Sequence, residues 1–387
     1  MKNLVIIGPI NPFDSKISGT RNYVMNFLNS LSPNETAILY GHTTLKNSNR
    51  NTIKNNIIFY PLVVYPEKKE RYYIPQTFKF IFKLYRYKNA ILSKGNVLHI
   101  QRIDHTIPFL FPQKKGKIVL YFHGAASKGY LTGIGFKSKF KGIIYLMLEH
   151  LILPKVDKII TVSRKDERFY TTKYPYVSKK ITTIPIPLDL NLFKVRNDKK
   201  TLCKKYGLDD RHKIILYAGR FSKVKGIDLI IKAFVNLNRV IPNTYLILVG
   251  KGEDERRLRK LISDLKATNI KFMGSLAHDE MPYILNCADV LVMASLTEGL
   301  PTIVLEALAC GLPVVSTDVG DISSVIKNEK IGYLIEERNE DDLKDNLIRA
   351  LVVSGKNKEE RKEIAEKYSA DSLSDRILQV HKKLFFS

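Results

Sequence analysis

The clearest signal of the fold lies in Thr297–Val315, TEGLPTIVLEALACGLPVV. Its first residues are typical of a tight loop, and the apolar run Thr302–Cys310 that follows predicts a short helix ending at Gly311. Apolar segments on either side, Val290–Ala294 and Val314–Ser316, predict strands. A strand, a loop, a helix and a strand in this order indicate a parallel sheet whose strands are joined by crossover helices.

The same alternation of short apolar segments and helical segments runs through the rest of the chain. In the first half the predicted strands are Leu4–Ile7, Thr36–Tyr40, Ile57–Tyr60, Val97–Ile100, Ile118–Phe122 and Lys158–Val162. In the second half the further predicted strands are Ile214–Ala218, Tyr245–Val249 and Ile270–Met273. Further helices are predicted at Ile227–Arg239, Glu255–Ala267 and Asp279–Cys287. The sequence therefore predicts an α/β protein with two doubly wound lobes.

The boundary between the lobes is predicted at Ile184–Asp189, IPIPLD, because its two prolines block both a helix and a central strand. We therefore expect an N-terminal lobe over residues 1–187 and a C-terminal lobe over residues 188–368. The amphipathic segment Ala370–Phe386 predicts a final helix within residues 369–387 that packs back toward the first lobe. The Asn- and Lys-rich piece Lys46–Asn56 is predicted to be a surface loop.

Length and composition indicate a two-domain globular protein. The chain has 387 residues, of which 44% are hydrophobic and 26% charged, and no apolar run reaches the roughly 18 residues that a spanning helix needs. Residues Met1–Ile10 are typical of a first strand and not of a secretory signal. The three cysteines are scattered, and no pattern of His, Cys and acidic residues predicts a bound catalytic metal. We expect a cytoplasmic protein.

The net charge of +25 is concentrated in the first half of the chain. Residues 1–190 contain 30 Lys and Arg against 10 Asp and Glu, a net charge of +20, whereas the remaining residues contain 33 against 28. A basic lobe of this kind indicates an anionic partner, either nucleic acid or an acidic membrane with its lipid-linked substrates. The alternative is a lysine-rich surface that is simply well solvated.

Two segments of the first half combine apolar and aromatic residues with lysines at helical spacing, Tyr72–Leu92 and Phe136–Leu153. Either can lie in a membrane interface, with its apolar face in the headgroup region and its lysines on anionic lipid. The alternative is that both are ordinary core-packing helices, because an amphipathic pattern alone does not separate the two cases.

Two carboxylates flank the start of the helix in the quoted stretch. Glu298 lies in the preceding loop and Glu306 lies more than one turn inside the helix. Pro301 suits a first helical position, and the unpaired N–H groups of Thr302 and Ile303 offer a site for phosphate. Carboxylates accept hydrogen bonds from sugar hydroxyls, so the motif predicts a sugar phosphate ligand. The alternative places one glutamate as a helix-dipole partner and the other on the surface.

A second motif, Gly219–Gly226 (GRFSKVKG), follows the first predicted strand of the second lobe. Ligands of such sheets bind beyond the carboxyl ends of the strands, so Arg220 and Lys225 are expected at a diphosphate. A rigid guanidinium fork and a point charge together neutralise the charge on a departing nucleotide diphosphate. Lys223 is expected to be an exposed bystander.

Together the motif at Gly219–Gly226 and the glutamates Glu298 and Glu306 resemble the hallmarks of the retaining GT-B glycosyltransferases of the family 4 type, also described as glycosyl transferases group 1. The resemblance implies two Rossmann-like domains facing a cleft, with a C-terminal helix crossing back to the first. It also implies that Arg220 and Lys225 hold the donor diphosphate, that Glu306 holds the ribose and that Glu298 touches the donor sugar.

The resemblance extends to positions with less distinctive neighbours. In the first lobe Gly19, in the sequence SGT, resembles a glycine-rich loop that approaches the donor phosphates, and His123, in YFHG, is similar to a histidine that lines the sugar site. In the second lobe the backbone near Leu276 is implied to meet the base, and Leu300 joins Thr302 and Ile303 at the donor.

The resemblance implies a retaining, metal-independent transfer of a sugar from a nucleotide diphosphate, with UDP-sugar favoured over GDP-sugar, to a hydroxyl of a lipid-linked or polysaccharide acceptor. No cofactor is expected beyond this donor. One alternative is an epimerase or hydrolase on the same fold, for which His123 is the acid or base candidate. The other is a nucleic-acid-binding protein, which leaves the glutamate motif unexplained because carboxylates repel phosphates. We therefore expect a peripheral position at the inner membrane face and no nucleic acid partner.

Overall fold

In the computed structural model the described residues are 3–13, 19–43, 51–54, 56–65, 76–111, 116–124 and 136–386. The chain divides into two compact units. Unit 1 comprises Met1–Pro187 together with Asp371–Ser387, and unit 2 comprises Leu188–Ala370. The C-terminal segment therefore returns to unit 1.

Unit 1 is built on an eight-stranded sheet with the order β3-β4-β2-β1-β5-β6-β7-β8, parallel except for the β3–β4 pair. The strands are β1 (Leu4–Ile7), β2 (Ala37–Thr43), β3 (Asn51–Lys54), β4 (Ile57–Val64), β5 (Val97–Ile100), β6 (Lys117–Phe122), β7 (Lys158–Thr161) and β8 (Ile181–Thr183). The helices are α1 (Gly19–Asn29), α2 (Gln76–Lys94), α3 (Ile107–Leu110), α4 (Phe136–Ile152) and α5 (Arg164–Lys173), with α13 (Ala370–Phe385) added from the C-terminal segment.

Unit 2 is a second doubly wound structure on an all-parallel six-stranded sheet with the order β11-β10-β9-β12-β13-β14. Its strands are β9 (Lys213–Ala218), β10 (Thr244–Val249), β11 (Ile270–Gly274), β12 (Val290–Met293), β13 (Val314–Thr317) and β14 (Gly332–Ile335). Its helices are α6 (Lys199–Lys205), α7 (Ile227–Val240), α8 (Glu255–Asp264), α9 (Met281–Cys287), α10 (Thr302–Ala309), α11 (Glu340–Val353) and α12 (Lys358–Glu366).

The strands read as continuous apolar runs because both sheets are covered on their faces by helices. In unit 2, one core joins Leu216 and Leu291 of the sheet to α10. Another core joins Ile215 and Val292, on the opposite face, to α7 and α11. The α/β class with two Rossmann-like units is therefore confirmed. Within the described part of the chain, no helix combines the length and apolar character needed to cross a bilayer.

Predicted strands agree with the structure to within a few residues, and the differences concern short edge elements. The surface loop predicted at Lys46–Asn56 is wrong over Asn51–Lys54, which pairs antiparallel with β4 as strand β3, while residues 44–50 and 55 lie outside the described part. Strands β8 and β14 escaped prediction because each has only three or four residues and little alternation.

Two predicted helix boundaries shift for local reasons. Helix α8 ends at Asp264 and not at Ala267, because Lys266 adopts a left-handed backbone with a φ of 49°. Pro301, expected at the first helical position, is instead the N-cap of α10 in extended conformation, and the helix covers Thr302–Ala309.

Candidate functional site

Four loops of unit 2 lie at one edge of its sheet, because the parallel strands β10, β9, β12 and β13 are neighbours and all end there. Strand β9 is followed by α7 on one face of the sheet, whereas β12 is followed by α10 on the opposite face. Successive strands of the chain are therefore added toward opposite edges of the sheet on the two sides of the β9–β12 pair. In open α/β sheets the crevice at such a switch point is the usual ligand site.

The loops after β9 and β12 are in direct contact at this switch point. The N–H of Leu296 donates to the carbonyl of Val224 over 2.8 Å. Gly226 has a φ of 63°, and a Cβ atom there would clash with the carbonyl oxygen of Ala294. Only glycine adopts this conformation at low cost and admits the neighbouring backbone. Gly226 therefore sets how closely the two predicted motifs approach.

Lys225 and Glu298 meet where these loops touch. The Lys225 Nζ lies 2.5 Å from the Glu298 Oε1, and the Ser295 hydroxyl donates to the same oxygen over 2.8 Å. The two charged side chains are only 27% and 13% exposed, so the pair is partly shielded from water. Ser295, which the sequence analysis did not single out, holds Glu298 from the end of β12.

Arg220, which was expected beside Lys225 at a diphosphate, binds a glutamate in another loop. Its guanidinium binds the carboxylate of Glu253 at 3.0 and 3.1 Å, in the loop after β10, and its side chain is 72% exposed. The Tyr217 hydroxyl donates to the Arg220 carbonyl over 3.1 Å and so anchors its backbone. Exposed ion pairs contribute little free energy, so the guanidinium can leave Glu253 at small cost.

The N-terminus of α10 lies beside this pair in the chain. Pro301 cannot donate, and the Val304 N–H donates back to the Pro301 carbonyl over 3.1 Å. Among the described residues, the N–H groups of Thr302 and Ile303 meet no acceptor. These N–H groups and the positive end of the helix dipole are features of an anion site.

Glu306 is buried one turn further along α10, with 5% of its surface exposed. Burial raises the pKa of its carboxyl to about 8, and a hydrogen bond with the Thr302 side chain opposes this rise. The alternative interpretation of Glu306 as a surface residue is therefore wrong. A buried carboxyl that takes up a proton near neutral pH is typical of a binding or catalytic site.

The remaining predicted donor residues of unit 2 contribute mainly backbone or packing. The side chain of Leu300 is buried in the core, so its backbone is the part available to a ligand. Leu276 and Ile303 are partly buried against the same core. Among the residues that the structure describes, no group of three or more His, Cys, Asp and Glu side chains is arranged to hold a metal ion.

In unit 1 the predicted residues Gly19 and His123 lie in different settings. Gly19 is the first residue of α1, with open space where a Cβ would lie, while its predicted neighbour Ser18 falls outside the described residues. His123 follows β6, and its Nε2 lies 2.7 Å from the Gln101 Oε1, which makes Nε2 the donor. Burial lowers the pKa of His123 to about 4, and within the described part its Nδ1 has no partner.

A buried chain of polar groups links the strand before His123 to the C-terminal helix. The Nε2 of His99 on β5 lies 3.2 Å from the Nδ1 of His381 on α13. The Nδ1 of the same His99 lies 2.8 Å from the Tyr121 hydroxyl. Burial lowers the pKa of His381 to about 4 and holds the pKa of His99 well below its ordinary value, so both rings are neutral. Helix α13 is thereby joined to the strands that carry His123.

Two further loops at the same edge of unit 2 went unnoticed in the sequence. Residues Gly250–Glu253 follow β10 and supply the partner of Arg220. Gly320 follows β13, and a Cβ there would clash with the carbonyl oxygen of Gly299, which also accepts from the Asp321 N–H over 2.9 Å. The signal that finds them is a glycine within three residues of the end of a buried strand.

Replacing Gly226 by alanine tests the contact between the loops. Gly226→Ala adds both the cost of a left-handed backbone and the clash with Ala294, and we expect it to lower the free energy of unfolding by about 2 to 4 kcal/mol. Gly355 is the matched control, since its φ is 82° and its Cβ would meet open space. Gly355→Ala should cost only about 1 kcal/mol. Equal losses in chemical denaturation would contradict the clash.

The raised pKa of Glu306 predicts a pH-dependent stability. Between its ordinary value of 4.5 and about 8 the folded protein keeps the proton and the unfolded chain loses it, so stability falls as pH rises through this window. Relative to Glu306→Gln, the wild type should lose up to about 1.4 kcal/mol per pH unit. Denaturation of both proteins across this range measures the difference. Glu363→Gln, at an exposed glutamate, is the control, and parallel curves for Glu306→Gln would refute the burial effect.

Comparison with known proteins supplies the family. The family described as Glycosyl transferases group 1 matches residues 198–370, and the family described as Glycosyltransferase Family 4 matches residues 17–192. The sucrose-phosphate synthase structure from Thermosynechococcus elongatus superposes with a TM-score of 0.84, covering 100% of this chain and 99% of that one at 21% identity.

Two curated relatives illustrate the sequence similarity. The N-acetyl-alpha-D-glucosaminyl L-malate synthase of Bacillus anthracis is 26% identical over 68% of this chain. The GDP-mannose-dependent monoacylated alpha-(1-6)-phosphatidylinositol monomannoside mannosyltransferase of Corynebacterium glutamicum is 34% identical over 40% of it. These matches span 68% and 42% of the relatives' own lengths, and a match to an uncharacterized glycosyltransferase of Methanocaldococcus jannaschii spans 62% of its length.

Both family matches, which together cover most of the chain, agree with the two-unit architecture and with the motifs at the switch point of unit 2. The chain belongs to the group 1 glycosyltransferases with the GT-B fold.

Proposed function

We propose that this glycosyltransferase is retaining and metal-independent, and that it moves a sugar from a nucleotide diphosphate to a hydroxyl of a lipid-linked or polysaccharide acceptor. The observation that carries the proposal is the contact of Lys225 with Glu298, 2.5 Å apart at the switch point of unit 2 and next in the chain to the start of α10. A cation, a carboxylate and free N–H groups there suit a ligand that is a phosphate at one end and a sugar at the other.

The main requirement of this reaction is that the site stabilises the negative charge on the departing diphosphate. Lys225, Arg220 and the N–H groups of Thr302 and Ile303 are the donors that would meet it. Such preorganised donors stabilise a developing anion without a divalent ion, which is the role that a metal has in other transferases. Arg220 reaches the phosphate by leaving Glu253, and its exposed position makes this exchange inexpensive.

The two glutamates are assigned to the hydroxyl-bearing parts of the donor. When phosphate takes over Lys225, Glu298 keeps the hydrogen bond from Ser295 and stays in place to accept from the transferred sugar. Glu306 is assigned to the ribose diol. Its burial makes an unpaired charge costly, so hydroxyl donors that bind the ionised form would be held tightly.

Retention of configuration is proposed to follow from attack of the acceptor hydroxyl on the face of the leaving group, with a phosphate oxygen taking the proton. His123 is an unsuitable base, because its pKa is held near 4 and its Nε2 is the hydrogen donor to Gln101. The same two facts weigh against an epimerase or hydrolase that depends on this histidine. Lining of the sugar site remains its proposed role.

The proposed acceptor class rests on the relatives, and the proposed location rests on the net charge of +20 in residues 1–190. One of them is named for a mannosyl transfer to a phosphatidylinositol mannoside. We extend this to a lipid-linked or glycan acceptor in cell-envelope glycan synthesis, reached from the cytoplasm at the inner face of the plasma membrane. A nucleic-acid-binding protein would leave the paired Lys225 and Glu298 without a role.

Binding of nucleotides tests the proposal. We expect UDP or GDP and the corresponding sugars to raise the thermal unfolding midpoint, because a ligand that binds the folded state stabilises it. Lys225→Ala should weaken binding of the best nucleotide about tenfold or more, since it removes a charge-assisted hydrogen bond to phosphate. Thermal denaturation with each nucleotide present measures the shift of the midpoint, and calorimetric titration of the wild type and of Lys225→Ala measures the affinity.

A matched control separates the site from general charge. Arg211 is an exposed arginine of unit 2 that pairs with Asp209, much as Arg220 pairs with Glu253. Arg211→Ala should leave nucleotide affinity unchanged. A protein that no nucleotide stabilises, or a Lys225→Ala variant with wild-type affinity, would remove the assignment of the donor site.

A further inference from the structure

Helix α4 carries an apolar stripe on the side turned away from the core. Phe140, Ile144, Met147 and Leu151 follow one another at intervals of three or four residues, Ile143 lies beside Ile144, and all five are more than 40% exposed. The opposite side of α4 buries Glu149 and Ile152. A helix that is apolar on both sides normally has a partner on each side.

Helix α2 shows the same arrangement. Phe78, Phe82 and Tyr85 lie one turn apart and are exposed, whereas Phe80 and Leu84, on the opposite side, are buried. Large apolar side chains that are exposed singly need no explanation. Repeated stripes on two helices indicate an interaction surface.

Both helices cover the same face of the unit 1 sheet. A single hydrophobic core contains Phe80 and Leu84 of α2 and Ile152 of α4, together with apolar residues of β1, β5 and β6. Tyr145 and Leu148 of α4 pack against this core. The two exposed stripes therefore belong to the outer side of one helical layer.

The exposed charges on these two helices have one sign. The α2 sequence contains no acidic residue, and its cations include Lys83 and Arg86. The acidic residue of α4 is Glu149, which is fully buried and accepts hydrogen bonds from the Tyr170 and Tyr174 hydroxyls over 3.2 and 3.0 Å. Neither helix thus presents a carboxylate to solvent beside its apolar stripe.

We propose that the stripes of α2 and α4 dock this protein on an anionic lipid bilayer, with the aromatic and aliphatic side chains in the headgroup region and the lysines on lipid phosphates. Apolar residues flanked by cations without acids are the pattern of an interfacial helix. A second copy of the chain fits less well as the partner, because its own Lys83, Arg86 and Lys139 would face the same cations. The inference rests on the proposed membrane location but not on the donor chemistry.

Cosedimentation with vesicles tests the surface. We expect the full chain to bind vesicles of phosphatidylglycerol and phosphatidylcholine about tenfold or more tightly than vesicles of phosphatidylcholine alone at low salt. High salt should release the protein from the mixed vesicles, because exposed charges are screened. Equal binding to both compositions, or no binding to either, would overturn the proposal.

Glutamate substitutions in the apolar stripe of α4 test whether that stripe contacts the bilayer. Ile143→Glu with Met147→Glu should weaken binding to the mixed vesicles about tenfold or more. Val352→Glu is the control, since Val352 on α11 of unit 2 is 67% exposed and Met147 is 60% exposed. The control should bind like the wild type. Retained binding by the double variant would overturn the proposal.

Two further readouts keep the outcomes distinct. Lys83→Glu with Lys139→Glu leaves the apolar stripes intact and should still weaken binding, about fivefold or more. Sedimentation of the wild type and the stripe variant reports the oligomeric state, and a dimer that the stripe variant dissociates, without vesicle binding by the wild type, would identify a second copy as the partner instead. If the protein binds vesicles but no nucleotide, that result contradicts the proposed donor site and supports the proposed docking surface.

Discussion

An ammonium group and a carboxylate meet where two loops leave neighbouring parallel strands, and the proposed chemistry depends on that contact. Lys225 and Glu298 are far apart in the sequence, and they are brought together because β9 and β12 pair side by side. Gly226 allows the loops to touch, and Ser295 holds the carboxylate. The pair is therefore a product of sheet topology, backbone conformation and one hydroxyl.

The two units differ in the kinds of side chain that they carry at strand ends and on their helices. Unit 2 assembles charged residues at strand ends, where Lys225 pairs with Glu298 and Arg220 pairs with Glu253. Unit 1 places neutral polar groups such as His123 at its strand ends and carries apolar stripes on its helices. A donor that is anionic and an acceptor held by a hydrophobic anchor would make these different demands on the two units.

Prediction from sequence succeeded where burial imposes a period or a continuous apolar run, as in Lys213–Ala218 and Thr302–Ala309. It failed for short edge strands such as Asn51–Lys54, whose pairing depends on a neighbour and not on their own residues. The sequence identified Lys225 and Glu298 as site residues, but it predicted that Arg220 lies with them. In the structure Arg220 binds Glu253 instead, and the position of that loop depends on tertiary packing alone. The burial of Glu306 was likewise invisible, because helical position alone does not tell which side faces the core.

We propose that Glu298 neutralises Lys225 until a diphosphate takes its place. A double-mutant cycle on nucleotide diphosphate affinity tests this most directly, because it isolates the coupling of the two side chains. If phosphate competes with the carboxylate for Lys225, Glu298→Gln should tighten binding severalfold in the wild type and have little effect in a Lys225→Met background. The same effect of Glu298→Gln in both backgrounds would contradict the account.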